Sequence, residues 1–177
     1  MTRVRPLILI GSLAAFAACE PPTAVDVDTD VRAGTAPLPA GIVTASAMGA
    51  GHRDSRGLPI VHNFHARLLE DGSSDGQYYY REVASGVWIS VQVTCMSTAN
   101  GNQAWVAGII DGSSIPALVG TVSYFFTFDN GEGQDGPDVI SRPRAGDIAG
   151  EDTRFCEEQP VLLGSSDVLH GNVQVSG

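Results

Sequence analysis

The stretch Gly86-Val87-Trp88-Ile89-Ser90-Val91-Gln92-Val93-Thr94-Cys95-Met96 carries the clearest structural pattern in the chain. Apolar residues and the cysteine occupy every second position of it, from Val87 to Cys95. A period of two predicts a β-strand with one buried face. Asn100-Gly101-Asn102 follows. Because Asn and Gly tolerate positive φ, we expect the chain to fold back there as a hairpin.

The rest of the chain after residue 41 repeats this pattern of short apolar runs between glycine-rich turns. The predicted strands are Ile42–Met48, Ile60–Leu69, Gln77–Val83, Val87–Met96, Ala104–Ile110, Thr121–Phe128, Val139–Arg142 and Val168–Val175. Links of hairpin length between them indicate an antiparallel meander. Since a sheet must hide its edges, we expect an all-β fold closed as a small barrel or sandwich, with the last strand pairing near the first. Thr153–Glu158 favours a helical turn that carries Cys156.

The charge of the chain excludes some classes of partner. All 10 basic residues are arginine, and 20 acidic residues oppose them, which gives a net charge of −10 over 177 residues. A nucleic-acid-binding protein needs a basic surface that displaces counterions, so we expect no nucleic-acid partner. Electrostatic docking on anionic lipid is disfavoured for the same reason. The length fits one domain.

The N-terminus has the order of a secretory signal: basic Arg3 and Arg5, an apolar run from Leu7 to Phe16, and then small residues. The run is too short to span a bilayer as a mature helix. Phe16-Ala17-Ala18-Cys19 resembles the lipobox of a bacterial lipoprotein signal, although leucine is usual where Phe16 stands. The resemblance implies that Cys19 is lipidated and that the protein is exported and membrane-anchored at the cell envelope. The alternative is an ordinary secreted protein.

The three cysteines fit this interpretation. Lipidation of Cys19 leaves Cys95 and Cys156, and export implies an oxidising compartment. A Cys95–Cys156 disulfide is therefore expected, and two separate buried thiols are the alternative. A metal site at these residues is disfavoured, because neither cysteine has a second ligand at Cys-x-x-Cys spacing.

These assignments divide the chain into three parts. Residues 1–18 are the predicted signal peptide, and residues 19–41 are a predicted disordered acidic tether, without aromatic residues, that begins at the lipidated Cys19. Residues 42–177 form a single all-β domain. This domain resembles uncharacterised secreted β-domains of bacteria, through Val93-Thr94-Cys95, Trp105 to Gly108, Asp129 to Gly133, Cys156 and Gly171 to Val175. The resemblance implies a shared fold and disulfide, and no known activity.

The loop from Asp129 to Asp138 is the densest polar segment. It holds four carboxylates, on Asp129, Glu132, Asp135 and Asp138, among glycines. Calcium favours several oxygens on a flexible backbone, so a weak calcium site is conceivable there, although the spacing fails the EF-hand pattern. A structural turn is the main interpretation. No other cofactor is expected, and a pair of catalytic carboxylates is the remaining alternative.

The histidines and serines give no catalytic motif. His62 and His65 are three residues apart on a predicted strand, so their side chains point to opposite faces. His62 shares a face with Ile60 and Phe64, which predicts a core histidine with a hydrogen-bond partner, whereas His65 is expected to be exposed. Two histidines and a carboxylate could still converge on a metal in the fold. No Gly-x-Ser-x-Gly motif is present.

Aromatic residues suggest a binding surface. Tyr79, Trp88 and Trp105 could form an outward row that binds a sugar or a protein partner, and cross-strand packing is the structural alternative. The first functional hypothesis is therefore a non-enzymatic binding or envelope-interaction module. The second is a small-ligand carrier with a barrel cavity, hinted at by small residues at Ala66, Ala104 and Gly108. A hydrolase that uses the acidic loop is the third.

Overall fold

The fold comes from a computed structural model that describes residues 41–55, 58–131, 136–146, 150–162 and 164–177. The predicted signal peptide, Cys19 and the tether up to residue 40 lie outside the described residues. The strands are β1 Val43–Ser55, β2 Leu58–Leu69, β3 Ser74–Glu82, β4 Trp88–Ala99, β5 Gln103–Ser113, β6 Val122–Phe128, β7 Val139–Ser141, β8 Arg144–Gly146 and β9 Ser165–Ser176. One helix, α1 Glu151–Glu158, and a 3-10 turn, Pro116–Leu118, complete the described structure.

The strands close into an antiparallel barrel. Each strand from β1 to β6 pairs with the next one, and β6 pairs on its other side with β7 and β8. β9 lies between β7 and β1 and pairs with both, so the sheet returns to its start. The all-β prediction is confirmed as a closed eight-strand barrel, in which β7 and β8 share one side of β6. The expected pairing of the last strand with the first is confirmed.

Strand β1 is longer than the sequence predicts. The expected end was at Gly49-Ala50-Gly51, but the strand continues to Ser55. A Cβ atom at Gly49 would lie 2.7 Å from the Phe64 ring, and one at Gly51 would lie 2.5 Å from the His170 carbonyl oxygen. These glycines therefore permit close packing inside a strand and do not form a turn.

Two apolar layers stabilise the barrel. Inside it, the Phe125 ring lies 5.0 Å from the Phe64 ring and stacks on Tyr78 at 4.4 Å. These three rings fill the middle of the barrel, with the small side chains of Ala45, Ala47, Ala66 and Ala104 among them. Alternation of small and large residues lets a small barrel fill its interior.

The second layer lies outside the barrel, between α1 and strands β4 to β6. Phe155 and Cys156 of α1 pack there against Trp105 and Phe126. Ser97 Oγ donates a hydrogen bond of 2.7 Å to the Cys156 carbonyl oxygen, and Trp105 Nε1 donates one of 2.9 Å to the Pro160 carbonyl oxygen. The predicted helical turn is thus an eight-residue helix that covers one side of the barrel.

The Cys95–Cys156 disulfide is present and joins β4 to α1 across 61 residues. In the chain-entropy model a loop of this length contributes about 4 kcal/mol to the free energy of unfolding. We expect the double substitution Cys95→Ser, Cys156→Ser to lower that free energy by about 2–5 kcal/mol. Urea unfolding of the variant, and of the wild-type protein with and without a thiol reductant, measures the effect. Equal midpoints for all three samples would contradict the prediction.

Candidate functional site

The candidate site lies at one end of the barrel, where β1, β3 and β5 finish and β2, β4 and β6 begin. We call it the Arg53 end. Alternate residues of β1 point inward, as the burial of Ala45 and Ala47 shows, and Arg53 continues this series. Its side chain is only 1% exposed. The barrel therefore encloses a guanidinium group, which is costly unless it is paired.

The partners of Arg53 are few. Its Nη1 atom donates a hydrogen bond of 2.9 Å to Ser166 Oγ, and its Nη2 atom has no partner among the described residues. Burial lowers the pKa of this guanidinium, and the nearby phenols of Tyr78 and Tyr80 partly oppose that effect. The nearby charge of Arg142 lowers this pKa further. Arg53 is thus a buried cation that makes no ion pair with a carboxylate among the described residues.

His62 lies next to Arg53 inside the barrel. It is buried on the same face as Ile60 and Phe64, as predicted. The expected hydrogen-bond partner is absent within the described residues, because neither ring nitrogen has one. Burial lowers the pKa of His62 to about 4, with smaller contributions from Arg53 and His52. The imidazole is therefore neutral at physiological pH, with one nitrogen as donor and the other as acceptor.

Two hydroxyl groups extend this unpartnered polar cluster. The Tyr78 hydroxyl and Ser123 Oγ are buried and have no hydrogen-bond partner among the described residues. Burial raises the pKa of the Tyr78 phenol well above its usual value, so the group keeps its proton. Buried polar groups are normally satisfied, and each orphaned group costs about 1–3 kcal/mol. Arg53, His62 and Tyr78 therefore form a buried polar cluster, and Ser123 lies near the start of β6 at the same end of the barrel.

A pocket of about 270 Å³ opens at this end. Ser123 and Tyr80 line it together with apolar side chains, namely Val87, Ile89, Ile110, Ile115 and Leu118. The opening coincides with an incomplete part of the barrel wall. β9 pairs with β7 only as far as Ser141, and among the described strands β8 pairs with β6 alone. Arg142, Pro143, Arg144 and Ala145 form that side of the pocket.

A charged network lies at the mouth. Tyr80 donates a hydrogen bond of 2.8 Å to Glu82 Oε1, and Arg142 forms an ion pair with the same carboxylate oxygen. The hydrogen bond from Tyr80 is the main reason why the pKa of Glu82 is lowered, and Ser85 and Arg142 add to it. Burial, assisted by Glu82, raises the pKa of Tyr80 to about 12. Glu82 therefore pairs with Arg142 at the mouth, and Tyr80 lies between Glu82 and the buried Arg53.

The acidic loop has a structural role at its two described carboxylates. Asp138 accepts hydrogen bonds from the backbone N–H groups of Asn130 and Val173, at 3.0 and 2.7 Å. Asp129 accepts those of Gly131 and Val175, at 2.8 and 3.0 Å. Both oxygens of each residue are thus occupied. Glu132 and Asp135 lie outside the described residues, so the calcium prediction stays untested as a four-carboxylate set.

The predicted row of three outward aromatic residues is wrong at Trp105. This side chain is 3% exposed because α1 covers it, and it packs on Phe126 at 5.2 Å. Tyr79 and Trp88 do form an outward pair, with ring centroids 6.3 Å apart. The outward aromatic surface therefore consists of two rings, Tyr79 and Trp88, and not of the three that were predicted.

The histidines do not form a metal centre with other ligands among the described residues. His65 is exposed, as expected, and His52 lies opposite His170 in the ladder between β1 and β9. Within the described part of the chain, no three side chains of His, Cys, Asp or Glu converge on a common point. The same residues contain no helix long and apolar enough to cross a membrane.

Sequence reasoning missed the central residue of the site. Arg53 stood beyond the predicted end of the first strand, so its inward position was not considered. The signal was available in the spacing, because Arg53 has the same parity as Ala45 and Ala47. The sequence patterns place Tyr78, Tyr80, Ser123 and Arg142 in predicted strands and give them no functional role.

The pH dependence of stability tests the environment of His62. Its pKa is 6.5 in an ordinary setting and about 4 in the fold, so the unfolded chain binds the proton more tightly. The contribution of His62 to the free energy of unfolding is therefore fully present above pH 6.5 and is lost as the pH falls toward 4. At 1.36 kcal/mol per pKa unit, the loss is at most about 3 kcal/mol.

We expect the substitution His62→Gln to reduce this loss, and His65→Gln, on the exposed face, to leave it unchanged. Urea unfolding at several pH values between 4.5 and 7.5 gives the slopes. An identical slope for wild type and His62→Gln would show that His62 is not buried in its neutral form.

Comparison with known proteins does not assign the chain to a family. The chain matches no protein-family model, and the searches of curated proteins and of solved structures gave no significant match.

Proposed function

We propose that the protein is a non-enzymatic small-ligand carrier that binds its ligand at the Arg53 end of the barrel. The observation that carries this proposal is the pocket of about 270 Å³, which reaches Ser123 and Tyr80 beside the buried polar cluster. The volume lies just below the range of roughly 300–1,000 Å³ typical of ligand sites. An apolar lining with a few convergent polar groups is also typical of such sites.

The rest of the barrel supports a carrier with its site at one end. The middle is filled by Phe64, Tyr78 and Phe125, so a ligand enters from the mouth and does not pass through. The unpartnered hydroxyl of Ser123 lines the pocket and favours binding, because a ligand that bonds to it removes an existing desolvation cost.

A non-enzymatic role is supported by the chemistry of the described lining. Glu82 is engaged by Tyr80 and Arg142, and the raised pKa of Tyr80 keeps that phenol protonated. Nucleophilic or acid–base catalysis needs a group that can exchange its proton near the working pH. Among the described lining residues, neither Glu82 nor Tyr80 meets that requirement.

We further propose that the carrier is exported and anchored at the cell envelope through Cys19. That residue lies outside the described part of the chain, so the proposal depends on the lipobox-like sequence. The Cys95–Cys156 bond supports it, because disulfides persist mainly in oxidising compartments.

The substitution Ala145→Trp tests the pocket. Ala145 lines the mouth and is exposed, so a large ring there should block entry and leave the fold intact. We expect wild type to bind the neutral fluorescent probe N-phenyl-1-naphthylamine, and the variant to bind it at least about tenfold more weakly, a loss of about 1.4 kcal/mol. Titration of probe fluorescence measures the affinities.

The matched control is Ala50→Trp, which places the same ring at an exposed position of β1. It should bind the probe like wild type. The carrier proposal fails if wild type does not bind the probe, or if both variants bind it as wild type does. In either case the outward Tyr79–Trp88 pair becomes the leading candidate for a surface-binding function.

A further inference from the structure

We propose that the ligand is a small uncharged molecule with a mainly aliphatic body and one acceptor oxygen, as in a ketone or an alcohol, and that the Ser123 hydroxyl donates a hydrogen bond to that oxygen. This inference deepens the proposed carrier function and rests on it. It names the chemical class of the ligand and assigns its recognition to one side chain of the pocket lining.

Ser123 lies at the inner part of the pocket. It has the same parity in β6 as Phe125, whose ring fills the middle of the barrel, so both side chains face the interior. Because β6 begins at the Arg53 end, Ser123 lies one inward position nearer to the mouth than Phe125. Its side chain is 2% exposed and belongs to the lining of the pocket.

The Ser123 hydroxyl is available to a ligand. Its Oγ atom has no hydrogen-bond partner among the described residues. The cross-strand neighbours are Gly108 in β5 and Ala145 in β8, and neither side chain carries a hydrogen-bonding group. A serine hydroxyl can donate one hydrogen bond. Because an unpaired buried polar group is costly, a ligand oxygen at this point gains a hydrogen bond that the protein does not already make.

The neighbouring polar side chains of the lining are already engaged. Tyr80 donates a hydrogen bond to Glu82, which also accepts one from Ser85 and forms an ion pair with Arg142. A ligand with many hydroxyl groups would lose hydrogen bonds to water that these side chains do not replace. A ligand with a single hydrogen-bonding group therefore fits the pocket better.

The charged side chains of the lining lie toward the solvent. Arg142 and Arg144 are exposed, and Arg53, which is 1% exposed, does not belong to the described lining. The buried residues of the lining are uncharged, namely Tyr80, Ile89, Ile110 and Ser123. An ionised group at the depth of Ser123 would lose its hydration without a charged partner from these residues. An uncharged group avoids that cost.

The apolar part of the lining matches an aliphatic body. Five branched aliphatic side chains surround the pocket, namely Val87, Ile89, Ile110, Ile115 and Leu118. A ligand with an aliphatic body removes this surface from water, and the hydrophobic effect favours that burial.

Cyclohexanone and methylenecyclohexane provide the test, because they share the ring and differ in the oxygen that accepts a hydrogen bond. Both compete with N-phenyl-1-naphthylamine, and the measured quantity is the ratio of their dissociation constants. In Ser123→Ala we expect this ratio to shift against cyclohexanone by at least about fivefold, or about 1 kcal/mol. The affinity for methylenecyclohexane should stay within about twofold of wild type. Equal weakening of both compounds would show a general effect on the pocket and would overturn the inference.

The matched control is Ser141→Ala. Ser141 is also buried, but its Oγ atom accepts a hydrogen bond of 2.8 Å from the Phe126 N–H group. This variant should therefore keep the wild-type ratio of the two dissociation constants. A ratio that shifts equally in both variants would contradict recognition by Ser123.

Cyclohexanecarboxylate tests whether the ligand is uncharged. At neutral pH it should displace the probe only at higher concentrations than cyclohexanone, because its carboxylate must lose its hydration. Displacement at equal or lower concentrations would assign an anionic ligand to the pocket and overturn the inference.

Urea unfolding separates recognition from folding. Ser123→Ala removes a buried hydroxyl without a described partner, so its midpoint should equal or exceed that of wild type. Ser141→Ala leaves the Phe126 N–H group unpaired and should lower the midpoint. A lower midpoint for Ser123→Ala would show that its hydroxyl already has a partner in the protein, and the inference would then be wrong.

The two proposals can fail separately. If wild type binds the probe but Ser123→Ala keeps the wild-type ratio, the inference fails and the carrier function stands. If wild type does not bind the probe, both fail.

Discussion

Closure of the sheet by β9 is the constraint on which the rest of the structure depends. Without β9, the edges of β1 and β7 would be open to other chains. Two carboxylates from the loop between β6 and β7 hold this strand, because Asp138 accepts the N–H of Val173 and Asp129 accepts that of Val175. The densest acidic segment of the sequence thus contributes to closure of the barrel, and this role explains two of its four carboxylates without a metal.

Closure also decides what the interior can hold. In a closed sheet every second residue of a strand points inward, so Ala45, Ala47 and Arg53 share one interior surface. The small side chains of the alanines leave space for the rings of Phe64, Tyr78 and Phe125, so the middle of the barrel is filled. At the same end of the barrel as Arg53, the pairing of β7 with β9 stops at Ser141, and the pocket opens beside Arg142 and Arg144. The inward orientation of every second residue in β1 therefore accounts for both the filled middle of the barrel and the buried arginine near its end.

The strands were predictable from the sequence to a large extent, and the site was not. Alternation in β4 and the Asn100-Gly101 turn, with φ of 57° and 74°, needed only local information. β8 was missed because Arg144–Gly146 is too short to show a period. β1 was cut short because Gly49 and Gly51 resembled a turn, whereas their neighbours in β2 and β9 require glycine. Arg53 lies in the half of β1 that was not predicted, so its inward position could not be inferred from the predicted strand.

The chain is acidic overall, but the barrel interior holds an arginine, and this difference in charge limits how the protein can bind an anion. The chain carries a net charge of −10, yet the barrel encloses an arginine without a described carboxylate partner. An acidic surface repels anions over a Debye length, about 8 Å at physiological ionic strength, so it does not increase their rate of encounter. Any affinity for an anion must then come from contacts inside the pocket, where the low dielectric strengthens each hydrogen bond.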